Sequence, residues 1–133
     1  MSKTVSVSLD TSVTPNVLQV HDHGGIHINH ASSPQTITWN LTGPLAQGEF
    51  VPMSDPEPGF EWVSRPKPSS EIFNTPSIGS NGNSLSIADT NPDRDSHGTW
   101  IYKLRVEYNG NTYATTSSAG IEGTSNNPVI INR

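Results

Sequence analysis

A group of histidines is the clearest candidate for chemistry in this sequence. Residues 21–30 contain four of the five histidines of the chain, and Asp22 stands beside the first of them. Imidazole nitrogens and carboxylate oxygens are common protein ligands of zinc, nickel and copper(II) ions. The stretch therefore supports one hypothesis for function, a small metal-binding protein in which His21, His23 and His27 hold a zinc, nickel or copper ion.

The geometry of that site depends on a hairpin. Two short extended segments, 17–21 and 26–30, flank a pair of glycines. A turn at residues 23–25 places His21 directly across from His27, with their Cβ atoms about 5 Å apart. The same residues also allow a solvated hairpin that binds metal only weakly and holds no resident cofactor.

A second candidate is the acidic and proline-rich string Asp55-Pro56-Glu57-Pro58. Proline fixes its own φ angle and biases the residue before it toward extended backbone. Unless the chain bends, the two carboxylates project to opposite sides, which is unfavourable for paired-carboxylate acid–base catalysis. The string predicts a rigid exposed loop, and the alternative is a loop that contacts a ligand or partner.

Two aromatic residues, Phe60 and Trp62, follow this loop directly. We expect them to be more exposed than Trp39, whose phase with Ile37 and Leu41 predicts a core position. Together with Asp55 and Glu57 they form the candidate contact loop, and exposed rings are a platform on which sugars stack. A carbohydrate-binding module is therefore a further hypothesis.

Oxygen-bearing side chains alternate through residues 89–95, as they do in calcium-binding loops. The spacing of an EF-hand requires glycine where Arg94 stands and glutamate where Trp100 stands. We expect instead a turn in which Asp and Asn side chains bond their own backbone.

No motif for catalysis is present in the sequence. It contains no cysteine, no Gly-x-Ser-x-Gly elbow, no phosphate-binding loop and no dinucleotide fingerprint. A blue-copper centre is excluded because its cysteine ligand is missing. These observations predict a protein that is not an enzyme.

Alternation of apolar and polar residues with a period of two predicts the β-strands that position these residues. Between residues 100 and 108, aromatic and aliphatic residues fall on one side of an extended segment and mostly charged residues fall on the other. Asn109-Gly110 then predicts a two-residue hairpin turn. With that turn, Val106 lies across from Tyr113 and Leu104 lies across from Thr115.

Alternation predicts further short strands, and no window shows helical periodicity. The predicted strands are residues 4–9, 17–21, 26–30, 35–41, 61–63, 84–88, 100–108, 112–117 and 129–131. The expected fold is all-β, an immunoglobulin-like antiparallel β-sandwich of about seven to nine short strands. The length of 133 residues suits a single domain, residues 1–133.

Charge narrows the range of partners. The net charge is −5, and the seven lysines and arginines are scattered along the chain. Nucleic acid and anionic membrane surfaces are therefore not expected as partners. The N-terminus lacks an apolar block of signal-peptide length, so a cytoplasmic location is expected. Exposed edge strands would allow a homo-oligomer.

Residues 55–58 resemble the string that gives the bacterial DP-EP family its name, and the general layout over most of the chain is similar to that family. The resemblance implies a small bacterial β-sandwich protein with no assigned activity. Residues 95–102 resemble the loop and strand start of immunoglobulin-like domains, without the paired cysteines of antibodies. The leading hypothesis is a non-enzymatic binding or self-assembly module.

Overall fold

Alternating apolar and polar residues form β-strands over about half of the described chain. The computed structural model describes residues 2–12, 16–22, 25–64, 66–115 and 128–133. The strands are β1 (Ser2–Asp10), β2 (Val17–His21), β3 (Ile26–Ile28), β4 (Gln35–Leu41), β5 (Glu49–Phe50), β6 (Phe60–Trp62), β7 (Ser77–Ile78), β8 (Ser84–Asp89), β9 (Gly98–Tyr108), β10 (Asn111–Ala114) and β11 (Val129–Asn132). The fold is all-β, as predicted.

The described residues contain eleven strands, more than the seven to nine expected. The additional strands, β5 and β7, are two residues long and too short to show an alternating pattern. The predicted strand 112–117 ends at Ala114, and its last two residues lie outside the described ranges.

The strands form two sheets. One has the order β2-β1-β4-β8-β7, and the other has the order β10-β9-β11-β3, with β5 and β6 also paired to β9. The expected purely antiparallel arrangement is wrong, because β1 runs parallel to β4 and β3 runs parallel to β11. Parallel neighbours need a crossover connection, and here each pair is separated in sequence by at least two other strands.

An aromatic cluster joins the two sheets across one core. Trp39 on β4 donates from Nε1 to the hydroxyl oxygen of Tyr102 on β9, at 3.0 Å. Phe60 stacks on Tyr102 with ring centroids 5.4 Å apart, and it lies 5.5 Å from Trp39. Trp39 and Tyr102 are fully buried. The predicted core position of Trp39 is confirmed.

The hairpin of β9 and β10 has the predicted turn and register. Asn109 and Gly110 have φ angles of 52° and 79°, the positive values that a two-residue turn of this type requires. Tyr113 pairs with Val106, and the Thr115 amide donates to the Leu104 carbonyl oxygen at 3.1 Å.

Two short 3-10 helices, Gly43–Gln47 and Arg94–Ser96, lie between strands. Within the described ranges, no helix has the length and apolar character that crossing a lipid bilayer requires.

The inter-sheet hydrogen bond gives a stability prediction. Tyr102→Phe removes the acceptor and leaves the buried indole N–H of Trp39 unpaired, so we expect the free energy of unfolding to fall by about 1–3 kcal/mol. Urea unfolding measures it. The control is Tyr113→Phe on β10, a half-buried tyrosine for which we expect a change within about 0.5 kcal/mol. Equal effects of the two variants would contradict the prediction.

Candidate functional site

The structure separates the histidines that a hairpin would have brought together. Strand β2 pairs with β1 in the first sheet, whereas β3 pairs with β11 in the second. His21 Nε2 lies 2.7 Å from the Ser8 hydroxyl, and His27 lies opposite Ile131. The predicted hairpin of residues 17–21 and 26–30 is wrong, because the two segments bury their apolar residues from different sheets.

The metal hypothesis loses its geometric basis with that hairpin. His23 lies outside the described residues. Among the residues that are described, no three His, Asp or Glu side chains lie close enough together to hold one metal ion. A zinc, nickel or copper site at His21, His23 and His27 stays a prediction.

The proline-rich loop, by contrast, is held firmly at both of its ends. The Val51 amide donates to the Arg105 carbonyl oxygen at 3.1 Å, and the Arg105 amide donates to the Gly59 carbonyl oxygen at 3.0 Å. The Gly59 amide also donates to the Val51 carbonyl oxygen at 2.9 Å, which closes the base of the loop. Residues 52–58 therefore form a loop fixed to one residue of β9.

The side chain of Arg105 fastens the same loop a second time. Its Nη1 donates to the Pro58 carbonyl oxygen at 3.0 Å. Its Nη2 lies 2.9 Å from a carboxylate oxygen of Glu61 and 3.8 Å from one of Glu57. Arg105 is only 8% exposed, and a buried guanidinium remains charged and needs such partners. Glu61 on β6 supplies most of the neutralisation.

The loop bends sharply at the acidic residues. Asp55 Oδ1 accepts a hydrogen bond from the Glu57 amide at 3.0 Å, and the Asp55 amide donates to the Pro52 carbonyl oxygen at 3.0 Å. This is the local Asx-type bonding that aspartate favours in turns. The chain therefore bends here, which is the exception to the expected projection to opposite sides, and Asp55 and Glu57 both line one cavity.

We name that cavity the loop groove. It has a volume of about 420 Å³ and is lined by Val51, Asp55, Glu57, Lys103, Arg105, Glu107, Thr112 and Ala114. Alternation along β9 directs residues 103, 105 and 107 to the outer face of the sheet. Of the charged residues that line the groove, Asp55, Glu57 and Glu107 are exposed. Sequence reasoning found Asp55 and Glu57 but not Glu107 or the anchoring pair of Arg105 and Glu61.

The two aromatic residues after the loop do not form an exposed platform. Phe60 is 3% exposed and packs between Tyr102 and Trp62, so it is a core residue like Trp39, contrary to the expectation of greater exposure. Its position opposite Leu104 puts it on the inward face of the sheet. Trp62 is half-buried, and its ring lies 4.8 Å from that of Phe73. The carbohydrate hypothesis is left with Trp62 alone.

In segment 89–95, the buried residues near the start form hydrogen bonds to other strands, and the last residues form a turn. The fully buried Asn91 donates to the carbonyl oxygens of Ile28 and Arg133 at 3.1 and 3.0 Å. Asp93 accepts from the Asp95 amide at 3.0 Å and caps the 3-10 helix that follows. The predicted turn with side chains bonded to their own backbone is confirmed at Asp93.

Asp89 is the most unusual member of this segment. It is fully buried at the end of β8, and its Oδ1 accepts a hydrogen bond from the side-chain Nδ2 of Asn132 on β11 at 2.9 Å. Its Oδ2 has no hydrogen-bond partner among the described residues. Burial raises the pKa of this carboxyl to about 6, because a charge far from water is unfavourable.

No protein-family model and no curated protein matches this sequence. The resemblance to the DP-EP family stays a prediction, and function is inferred from the geometry of this chain.

The anchoring of the loop can be tested at Arg105. Arg105→Met removes the donor to Pro58 and leaves Glu61 without its partner, so we expect the free energy of unfolding to fall by about 1–3 kcal/mol. Hydrogen exchange at the Val51 and Gly59 amides should become faster. The control is Lys103→Met, on the same face of β9. Unchanged exchange at both amides would show that the side chain does not hold the loop.

Asp89 predicts a pH dependence of stability. The pKa of Asp89 is about 6 in the folded protein and 3.8 when the chain is unfolded, so its protonated form stabilises the fold at low pH. That contribution, at most about 3 kcal/mol, is lost as pH rises from about 4 to about 6. The side chain of the Asp89→Asn variant is neutral at every pH. Its free energy of unfolding, compared with that of the wild type, should therefore rise between about pH 4 and about pH 6. Urea unfolding at several pH values measures it, with Asp95→Asn as an exposed control. A constant difference between wild type and Asp89→Asn would contradict the prediction.

Proposed function

We propose that this chain is a non-enzymatic binding module whose loop groove takes a cationic ligand. The observation that carries the proposal is the pairing of Arg105. Because Glu61 already neutralises this buried guanidinium, Lys103 is the remaining cation of the groove. The three exposed carboxylates of Asp55, Glu57 and Glu107 outnumber it, and the groove favours a positive charge.

The groove is also organised before a ligand arrives. Its loop is fixed at Val51 and Gly59 by backbone bonds and at Pro58 by the arginine side chain. Prolines at 52, 56 and 58 restrict the loop further. A site that is already ordered loses less conformational entropy on binding, which increases affinity. Rigid walls with exposed charges favour recognition of a ligand.

The charge of the chain supports the same class of ligand. The net charge of −5 attracts cations over longer distances and repels nucleic acid and anionic lipid. Electrostatic complementarity of this kind mainly raises the association rate and selects among partners. A lysine- or arginine-bearing segment of another protein is the ligand that fits best.

For the fold, we propose that the two sheets form an immunoglobulin-like sandwich. In one sheet, the adjacent strands β4, β8 and β7 correspond to strands B, E and D of that architecture. In the other sheet, the adjacent strands β6, β9 and β11 correspond to strands C, F and G. The Trp39–Tyr102 hydrogen bond joins β4 to β9. The corresponding strands of antibody domains, B and F, are joined by a disulfide. The hairpin of β1 and β2 is an addition to this pattern.

Other sequence hypotheses have less support. Self-assembly through sheet edges is the alternative to binding a different partner, and sedimentation of the purified protein distinguishes them. Metal binding at residues 21–30 has lost its predicted hairpin, and carbohydrate binding has lost the exposed face of Phe60. A bacterial origin in the DP-EP family and a cytoplasmic location stay proposals from the sequence.

The proposal is tested by titrating the protein with a blocked pentapeptide, Gly-Lys-Gly-Lys-Gly, and measuring NMR chemical shifts at low and at high salt. We expect saturable shifts at Glu57, Glu107 and Thr112 that weaken as salt screens the charges. Because an exposed ion pair contributes at most about 1 kcal/mol, Glu57→Gln with Glu107→Gln should weaken binding by about tenfold.

The matched control is Glu71→Gln, which removes an exposed carboxylate outside the groove. It should leave the affinity unchanged. Shifts that do not saturate, or an equal loss of affinity in Glu71→Gln, would contradict a site at the loop groove.

A further inference from the structure

A second cavity adjoins the loop groove at Glu107. It lies between β5 and β7, has a volume of about 450 Å³, and has apolar walls formed by Phe50, Pro52, Met53, Pro76 and Ile78. We name it the apolar pocket. Three of the wall residues are half-buried, namely Met53, Pro76 and Ile78. Part of their apolar surface packs against the protein, and the rest faces the pocket. Two of the wall residues are prolines, which hold the walls in one shape.

Two carboxylates stand where this pocket meets the groove. Glu49 on β5 and Glu107 on β9 are directly opposed in the sheet, and both line the pocket. Both side chains are exposed. Like charges directly across a strand pair destabilise a sheet. A positive charge bound between them removes that repulsion.

The turn before β8 fixes Glu49 at this position. The Phe50 amide donates to the Gly82 carbonyl oxygen at 2.8 Å. Gly82 has a φ of +80°, and a Cβ added there would lie 2.9 Å from Cγ and Oε1 of Glu49. The side chain of Glu49 therefore packs directly against the backbone of Gly82, in space that a side chain at residue 82 would occupy. Glu49 and Gly82 both line the apolar pocket.

We infer that the partner is an extended peptide segment with a leucine-sized apolar side chain beside a lysine or arginine. The apolar pocket takes the apolar side chain, and Glu49 with Glu107 binds the neighbouring cation. This inference rests on the proposed function, since Glu107 also belongs to the loop groove, and it adds the identity of the flanking residue. Charge complementarity selects such a peptide over a nucleic acid or an anionic lipid surface, which the two carboxylates repel.

The test compares two blocked pentapeptides of equal charge, Gly-Lys-Leu-Lys-Gly and Gly-Lys-Gly-Lys-Gly, by NMR titration of the full chain. Burying most of a leucine side chain contributes about 1.5 kcal/mol, so the leucine peptide should bind about tenfold more tightly. Ile78→Ser makes a pocket wall polar and should remove most of this preference. Met53→Gln changes a second wall and should act in the same direction if Ile78→Ser does not fold.

The matched control is Val63→Ser, which removes an exposed apolar side chain that does not line the pocket. It should leave the tenfold preference intact. Glu49→Gln should weaken both peptides by a similar factor. If wild type binds the two peptides equally, or if the preference survives in Ile78→Ser and Met53→Gln, the pocket inference is wrong while the proposed function stands. If neither peptide binds, both are wrong.

Discussion

The second sheet depends on the backbone of β9, which pairs with more strands than any other described element. Strands β5, β6, β10 and β11 all pair with it, each along a different part of its length or on a different side. Eleven consecutive residues in extended conformation make this possible, because each short neighbour needs only part of that length. A two-residue strand such as β5 has too few hydrogen bonds to persist alone. It exists because β9 provides a long, fixed edge.

One residue of β9 extends this role to the loop above the sheet. Arg105 bonds the loop through its amide, its carbonyl oxygen and its guanidinium. The loop in turn buries the arginine, and burial of a guanidinium is unfavourable unless a carboxylate accompanies it. Glu61 satisfies that requirement from β6, so the carboxylates of Asp55 and Glu57 remain at the surface. The charge of the loop groove is therefore a consequence of how its floor is stabilised.

The two sheets are joined by contacts of different chemistry. In the aromatic core, the Trp39–Tyr102 hydrogen bond satisfies a buried indole donor. Toward the end of β8, Asp89 and Asn132 join β8 to β11, yet each keeps one oxygen without a hydrogen-bond partner among the described residues. The first contact resembles the paired polar groups found in most protein cores. The second leaves one oxygen of a buried carboxylate unpaired, and burial raises the pKa of that carboxyl above that of an exposed aspartate.

Local alternation was sufficient to find most of the strands, the Asn109-Gly110 turn, the register of β9 with β10, and the buried position of Trp39. Each depends on residues close in sequence, since side-chain direction alternates along any extended chain. Alternation does not specify which sheet a strand joins, and so β2 and β3 were expected to pair with each other. The burial of Arg105 depends on a loop some fifty residues earlier in the sequence. The apolar pocket likewise needs residues of β5 and of β7, which belong to different sheets, to lie close together, and only packing of distant segments against the core decides that arrangement.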